Sequence, residues 1–357
     1  MYEQIREDIF FFMLYASVAM LSLIACCYLL FRQGNAFAKE VTPPVRLRRW
    51  TAAFFAAIAL CHLWYLPTYF LTSSDDKILG SLIAGLLDCM TVIPLTIVIM
   101  LCMLQDRRRP MWPVAVMVTP LIAGLAWCVA TRSEAILLML YAYFLLMCIG
   151  LIIYMVREVK RYGRWLRDNY ADLEHKEVWQ SFVVLAIILL AYAIYMLDAG
   201  ELIYEFAMEV INIVLICYLL WRVETLSDLT PHQPTLVASP AKNIGPLLKQ
   251  HCEEPQLFLQ YDISLPQLAQ TIGTNRLYLS QYFSSQGLTY NAYINGLRIQ
   301  HFINLYHEAI AARQLISVQQ LALQSGFRSY STFNAAFKQS MGMTATEWMR
   351  NAGTSES

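Results

Sequence analysis

Charge is scarce in this sequence. Only 15% of its 357 residues are Asp, Glu, Lys or Arg, the formal net charge is zero, and 58% are hydrophobic. A soluble protein of this size carries about a quarter charged residues, so an ordinary soluble globule is excluded for most of the chain. Cysteines at paired or metal-ligand spacing are missing too. Eight of the nine (Cys26, Cys27, Cys61, Cys89, Cys102, Cys128, Cys148 and Cys217) sit inside apolar runs as small fillers, and Cys252 has only the adjacent His251 beside it. There is no phosphate-cradling glycine loop, no metal-spaced His and Cys set, and no nucleophile to accompany His62. The expectation is therefore no enzyme, no cofactor and no metal. A cleavable leader is not expected either, because the first apolar run follows Glu3, Glu7 and Asp8 and exceeds a signal core in length.

What the sequence does have is long apolar runs, nearly all before residue 222. Crossing a hydrocarbon core of about 30 Å takes roughly 20 apolar residues in a helix. Seven stretches qualify: 9–31, 51–71, 78–104, 111–130, 135–156, 179–198 and 203–221. Seven in succession leave no polar faces with which to cover a soluble core. The predicted fold class is all-α, a seven-helix transmembrane bundle over 1–221 followed by an all-helical domain.

Lys and Arg in short loops stay on the cytoplasmic side. Loops 32–50, 105–110 and 157–178 hold fourteen, among them Arg46, Arg48, Arg49, Arg107, Arg108, Arg109, Arg161, Arg164 and Arg167; the opposite tail and loops hold three, Arg6, Lys77 and Arg132. This bias predicts an N-terminus outside and everything beyond Trp221 in the cytoplasm, with the lipid bilayer as the first partner.

Residues 222–246 contain Pro231, Pro234, Pro240 and Pro246 among small and polar residues, which reads as a semi-extended tether, the linker proper being 222–243. Leu219, Val223 and Leu226 keep a 4-then-3 spacing, so either the last span runs on as a short dimerising helix or the spacing is ordinary amphipathicity. Beyond the tether an internal repeat appears at an offset of 53: Ser264-Leu-Pro-Gln267-Leu268-Ala269 up to Gly273, and Ser317-Val-Gln-Gln320-Leu321-Ala322 up to Gly326. Each copy opens with a capping box and closes at a glycine suited to a tight helix-helix turn. A second helix follows in each, Arg276–Ser284 and Ser329–Ser340, with Leu279 and Phe283 or Phe333 and Phe337 on its apolar face. The opposite faces present Arg276, Ser280, Gln281 and Ser284 in one copy, and Tyr330, Ser331, Asn334 and Lys338 in the other. Such groups hydrogen-bond base edges and phosphates when a helix lies in the major groove, which makes double-stranded DNA the expected partner. Between the copies, 290–308 reads as one helix of about 28 Å, somewhat short of the DNA helical turn.

The stretch from Ile244 to Arg350 resembles the AraC/XylS-type DNA-binding domain, and the domain is expected over 244–352. The resemblance rests on Leu265-x-x-Leu268-Ala269, Tyr278-Leu279-Ser280-x-x-Phe283, Tyr293-Ile294-Asn295-x-Leu297-Arg298-Ile299, Gly326-Phe327, Ser329-Tyr330-Ser331-x-Phe333, Ala336-Phe337-Lys338 and Gly342-Met343-Thr344. It implies a transcription regulator, here one held in a bacterial cytoplasmic membrane, and DNA contacts at Arg276, Leu277, Ser280 and Gln281 in the first unit and at Tyr330, Ser331 and Asn334 in the second, with Ser329 and Lys338 beside them. The chain departs from the family pattern at Ala335, where a basic residue is usual, and at Ala345, where a Pro is usual. Residues 240–357 carry a net charge of only +2. High affinity then depends on two domains acting together, as in a homodimer.

Inside the spans, ionisable residues are costly and mark function or interhelical bonding. His62 and Asp88 fall at similar depth on adjacent predicted spans and can pair. Glu201, Glu205 and Glu209 share one face at the start of the seventh span, with Asn212 one turn further on. Glu201 reads as solvated and Glu205 as snorkelling. His62, Asp88, Glu205, Glu209 and Asn212 are the candidate sensors of a small molecule or ion; bonds that merely hold the bundle together are the competing reading. Pro67, Pro94 and Pro120 are candidate kinks. A transporter with a regulatory helix-turn-helix domain is the alternative function.

Overall fold

The structure, a computed structural model, describes residues 8–32, 35–38, 41–195, 202–229, 244–312 and 317–355. The described residues are helical apart from turns, with one isolated antiparallel bridge. They pack as two compact units: Met1–Tyr162 with Val178–Thr230, and Gly163–Glu177 with Pro231–Ser357.

The first unit contains α1 (Ile9–Phe31), α2 (Val45–Phe70), α3 (Ser74–Met90), α4 (Val92–Met103), α5 (Trp112–Thr131), most of α6 (Leu137–Asn169), α7 (Trp179–Tyr195) and α8 (Leu202–Thr225). Asp8 caps α1 by accepting from the Phe11 amide at 3.0 Å, and α2 begins directly after Pro44. Asp75 and Asp76 fill the first turn of α3, where they face the positive end of the helix dipole. The run predicted at 78–104 is two helices, because the helical dihedrals fail at Thr91 (φ −124°, ψ −70°). Pro94 is the cause, since it has no amide to offer the Met90 carbonyl and its ring crowds that carbonyl. Pro67 and Pro120 lie within α2 and α5 without ending them.

Among the described residues, six helical stretches are long and apolar enough to cross a membrane: Ile9–Phe31, Val45–Phe70, Ser74–Met103, Trp112–Thr131, Leu137–Asn169 and Leu202–Thr225. The remaining predicted span, 179–198, is seen as the 17-residue α7, and its last three residues lie outside the described ones. Large apolar side chains on these helices face outward, Leu138 at 79% exposure and Leu146 at 68% among them, as is normal where the surroundings are hydrocarbon rather than water. Helix α6 runs 13 residues past the predicted span end at 156.

Two expectations about the end of α8 change. Leu219, Val223 and Leu226 are all buried inside the unit, so the dimerising stripe is used up by packing within the chain. The first residues of the predicted tether are also held: the Asp228 amide donates to the Thr42 carbonyl at 2.9 Å, the Leu229 amide to Gln105 Oε1 at 2.8 Å, and Leu226 and Leu229 are buried. Fully buried Glu224 faces Arg48 Nε at 3.4 Å, and its carbonyl accepts from Asn35 Nδ2 at 2.6 Å. Most of the remaining predicted linker, 230–243 with Pro231, Pro234 and Pro240, lies outside the described residues.

The second unit contains α9 (Ile244–Leu248, prolonged by a wider turn over Lys249–Glu253), α10 (Leu265–Thr271), α11 (Arg276–Ser285), α12 (Tyr290–Ala311), α13 (Val318–Gln324), α14 (Tyr330–Met341) and α15 (Ala345–Ser355). It has two cores. Leu265, Leu268, Ile272, Leu279, Phe283, Tyr290 and Ile294 form one, and Ile299, Phe302, Leu321, Phe327, Phe333 and Phe337 the other. The N-terminal half of α12 serves the first core and its C-terminal half the second. Arg298, on α12 between them, is 1% exposed; its Nε donates to the Phe258 carbonyl and its Nη2 to the Gln260 carbonyl, both at 2.7 Å, while the guanidinium lies 5.6 Å from the Phe327 ring centroid. Burial lowers its pKa to about 10, so it stays charged at neutral pH.

Candidate nucleic-acid interface

Local signals place each half of the repeat. The Gln267 side chain reaches back to the Ser264 amide at 2.8 Å, and the Gln320 side chain to the Ser317 amide at 3.2 Å, as the capping boxes require. Gly273 (φ +73°) and Gly326 (φ +88°) take the left-handed conformation that turns the chain into the second helix. At Gly326 a Cβ would also lie 2.7 Å from the Leu259 Cα, so that turn tolerates no side chain. Asn275 caps α11 by accepting from the Tyr278 amide at 2.9 Å, and Ser329 caps α14 by accepting from the Thr332 amide at 3.3 Å.

On α11, Leu279 and Phe283 are buried while Arg276, Leu277 and Gln281 are exposed and Ser280 is half-buried. Leu277 is 63% exposed, which is unusual for a leucine on an otherwise polar face and suits contact with a base or sugar. On α14, Phe333 and Phe337 pack on Phe302 at ring-centroid distances of 4.6 and 5.7 Å, leaving Ser331 and Lys338 exposed and Ser329, Tyr330 and Asn334 half-buried. Asn334 Oδ1 is buried with no hydrogen-bond partner among the described residues. On α11 the predicted contact residues lie away from Leu279 and Phe283; on α14 Ser331 and Lys338 do so, while Tyr330 packs at the edge of the second core with its ring 6.0 Å from that of Phe333. The connecting α12 is longer than predicted, 22 residues and hence about 33 Å, close to the helical turn of DNA. Sequence reasoning also missed a third capping box, in which Thr344 and Glu347 start α15: the Thr344 amide donates to Glu347 Oε2 at 2.8 Å. That cap does locally what the usual proline would do at Ala345, itself fully buried.

Of the candidate sensing residues, His62, Asp88, Glu205 and Glu209 fall into three sets. His62 Nε2 meets Glu209 Oε2 at 3.1 Å, and its Nδ1 lies 2.8 Å from the Ile58 carbonyl one turn back. The expected pairing of His62 with Asp88 is replaced by this one: Asp88 instead accepts from Trp64 Nε1 at 3.2 Å and from the Tyr65 hydroxyl at 3.0 Å. Both donors sit on α2, whereas the partner of His62, Glu209, comes from α8. Glu205 does not snorkel; it is buried and accepts from the Tyr69 hydroxyl at 3.0 Å. The Tyr15 hydroxyl donates to the His62 carbonyl at 2.7 Å and links α1 to the set. Asn212 is half-buried on α8. Glu201 lies outside the described residues.

Among known proteins, residues 268–351 match the family described as a helix-turn-helix domain. Over 76 residues the chain is 33% identical to the TCP pilus virulence regulatory protein of Vibrio cholerae serotype O1, in each of two strains. The aligned part is 21% of this chain and spans 26% of those relatives. No solved structure matches. With the two capped helix pairs and their exposed polar faces, this shows that the C-terminal part of the chain is a DNA-binding helix-turn-helix domain of the AraC type.

Proposed function

We propose that this chain is a transcription regulator embedded in a bacterial cytoplasmic membrane, with its helix-turn-helix domain in the cytoplasm, and that it couples an external or membrane signal to gene expression. One observation carries the reading: six helices of bilayer-crossing length and apolarity stand on the same chain as two helix-turn-helix units. The fourteen-to-three bias of basic residues supports the orientation, with N-terminus outside, seven crossings ending near residue 221, a linker to 243 and the DNA-binding domain from 244. The modest +2 charge of the domain favours two copies acting on one DNA site, so a homodimer is part of the proposal.

The sensing part rests on burial. A His-Glu pair and a second glutamate inside an apolar unit are costly to keep, and gain of a proton, ion or polar ligand there would favour one arrangement of α2 and α8 over another. Helix α8 is the last element before the linker, so its shift has the shortest route to the domain. Reporter fusions after Ser74, Ser133 and Gly200 are expected to read external, and those after Gln105, Tyr170 and Ser239 cytoplasmic. Glu209→Gln and Asp88→Asn are expected to fix target-gene expression high or low at normal protein level in the membrane. Regulation per molecule unchanged in both variants removes the sensor and leaves an anchor. Altered solute uptake with intact gene control points to a transporter.

A further inference from the structure

The segment 163–177 begins in the last turns of α6 and precedes α7, yet it packs as part of the DNA-binding unit. Ala171 is 1% exposed within the first core of that unit, its amide donates to the Ile263 carbonyl at 3.4 Å, and its carbonyl accepts from Asn291 Nδ2 at 2.6 Å. Tyr170 forms the isolated bridge with Ser264, the cap of α10. Two carboxylates then reach the second unit of the repeat. Asp172 Oδ2 lies 3.9 Å from Arg328 Nη1, and Glu174 Oε2 accepts from the Thr332 hydroxyl at 3.1 Å, both at the N-terminal end of α14. The strap thus sets two carboxylates against Arg328 and Thr332 at the start of α14, one of the two helices that would enter the grooves of DNA.

That is a place where backbone phosphates bind. A helix N-terminus offers amides and a positive dipole, and Arg and Thr side chains beside it are standard phosphate donors. A carboxylate held there offers the same charge and the same acceptor oxygens as a phosphate. We propose that residues 163–177 are an internal competitor for DNA, seated on the phosphate-contacting end of α14, and that the duplex binds when the strap leaves. This rests on the DNA-binding reading above. The hold is suited to release: the ion pair of Asp172 with Arg328 is 3.9 Å long, and Asp172 Oδ2 is buried without a hydrogen bond among the described residues. Helix α6 runs unbroken into Asn169, two residues before Ala171, so a displacement of that helix reaches the strap directly.

The test uses the full chain in lipid nanodiscs and a mixed-sequence duplex long enough for both units. Asp172→Asn with Glu174→Gln is expected to tighten duplex binding about tenfold, the size of one or two lost charge-assisted contacts. Glu308→Gln, which removes an exposed charge on α12 away from the strap, is expected to change it by less than about twofold. In the wild-type chain, hydrogen exchange at Ala171 and its neighbours should speed up when duplex is added. Equal affinity of the double variant and the wild type, or exchange at Ala171 that stays slow in saturating duplex, overturns the proposal while salt-dependent binding leaves the DNA reading standing. No salt-dependent binding by any of the proteins overturns both.

Discussion

Arg298 shows how much one side chain can settle. It is the largest fully buried side chain among the described residues, and it ties the end of the first repeat's entry loop, at Phe258 and Gln260, to the helix both cores share. Replacing it with Ala leaves the buried Phe258 carbonyl and the part-buried Gln260 carbonyl without their donor and opens a void, so the DNA-binding unit should lose about 2–4 kcal/mol, read as faster hydrogen exchange across 257–263 and 294–302 in the full chain. Arg298→Lys should recover little, because one ammonium on a single stem cannot reproduce a planar fork aimed at two carbonyls. On the surface the expected costs are of another kind. Gln281→Ala and Asn334→Ala should each cost about 1–3 kcal/mol at the preferred DNA site, whereas Lys338→Ala should weaken all sequences and flatten the salt dependence. Equal losses on every duplex for all three variants would mean that none of them reads bases. The exposed and buried faces of α11 were legible in the sequence because a repeat fixes helix phase. The role of Arg298 was not, since its partners lie 38 and 40 residues away and spacing carries no sign of them.

At the scale of elements, the two turn glycines make a matched comparison. Both have positive φ, but a Cβ at Gly273 meets nothing within 4 Å while one at Gly326 runs into Leu259 backbone. Gly273→Ala should therefore cost only the strained dihedral, about 1 kcal/mol, and Gly326→Ala at least about twice that, in thermal unfolding of the same domain. Comparable losses at the two positions would contradict the close approach. Caps, turns and second helices were readable because each is encoded within four or five residues. The break at Thr91 was half readable: Pro94 marked a kink, and the structure turns it into a helix boundary. Partner choice was not readable. His62 and Asp88 were matched by depth, but which neighbour each faces depends on how α2, α3 and α8 pack, and α8 supplies Glu209. The stripe of Leu219, Val223 and Leu226 was equally ambiguous, because the same spacing serves a second copy or the chain's own bundle.

For the whole molecule, composition divides the chain better than any motif does, with apolar runs before residue 222 and a mixed composition after it. It misses that the second unit recruits residues 163–177 from the apolar half, because that segment looks like a basic loop in sequence and shows its acidic contacts only when folded. The central claim is that the intact chain, while held in the membrane, occupies specific DNA sites through both helix-turn-helix units. It is tested most directly by cross-linking the full chain to DNA in intact cells, isolating it with the membrane fraction and sequencing the attached fragments. The account predicts discrete sites that disappear when Gln281→Ala and Asn334→Ala are combined while the amount of protein in the membrane is unchanged. Fragments without discrete enrichment, or sites that survive the double substitution, would contradict it.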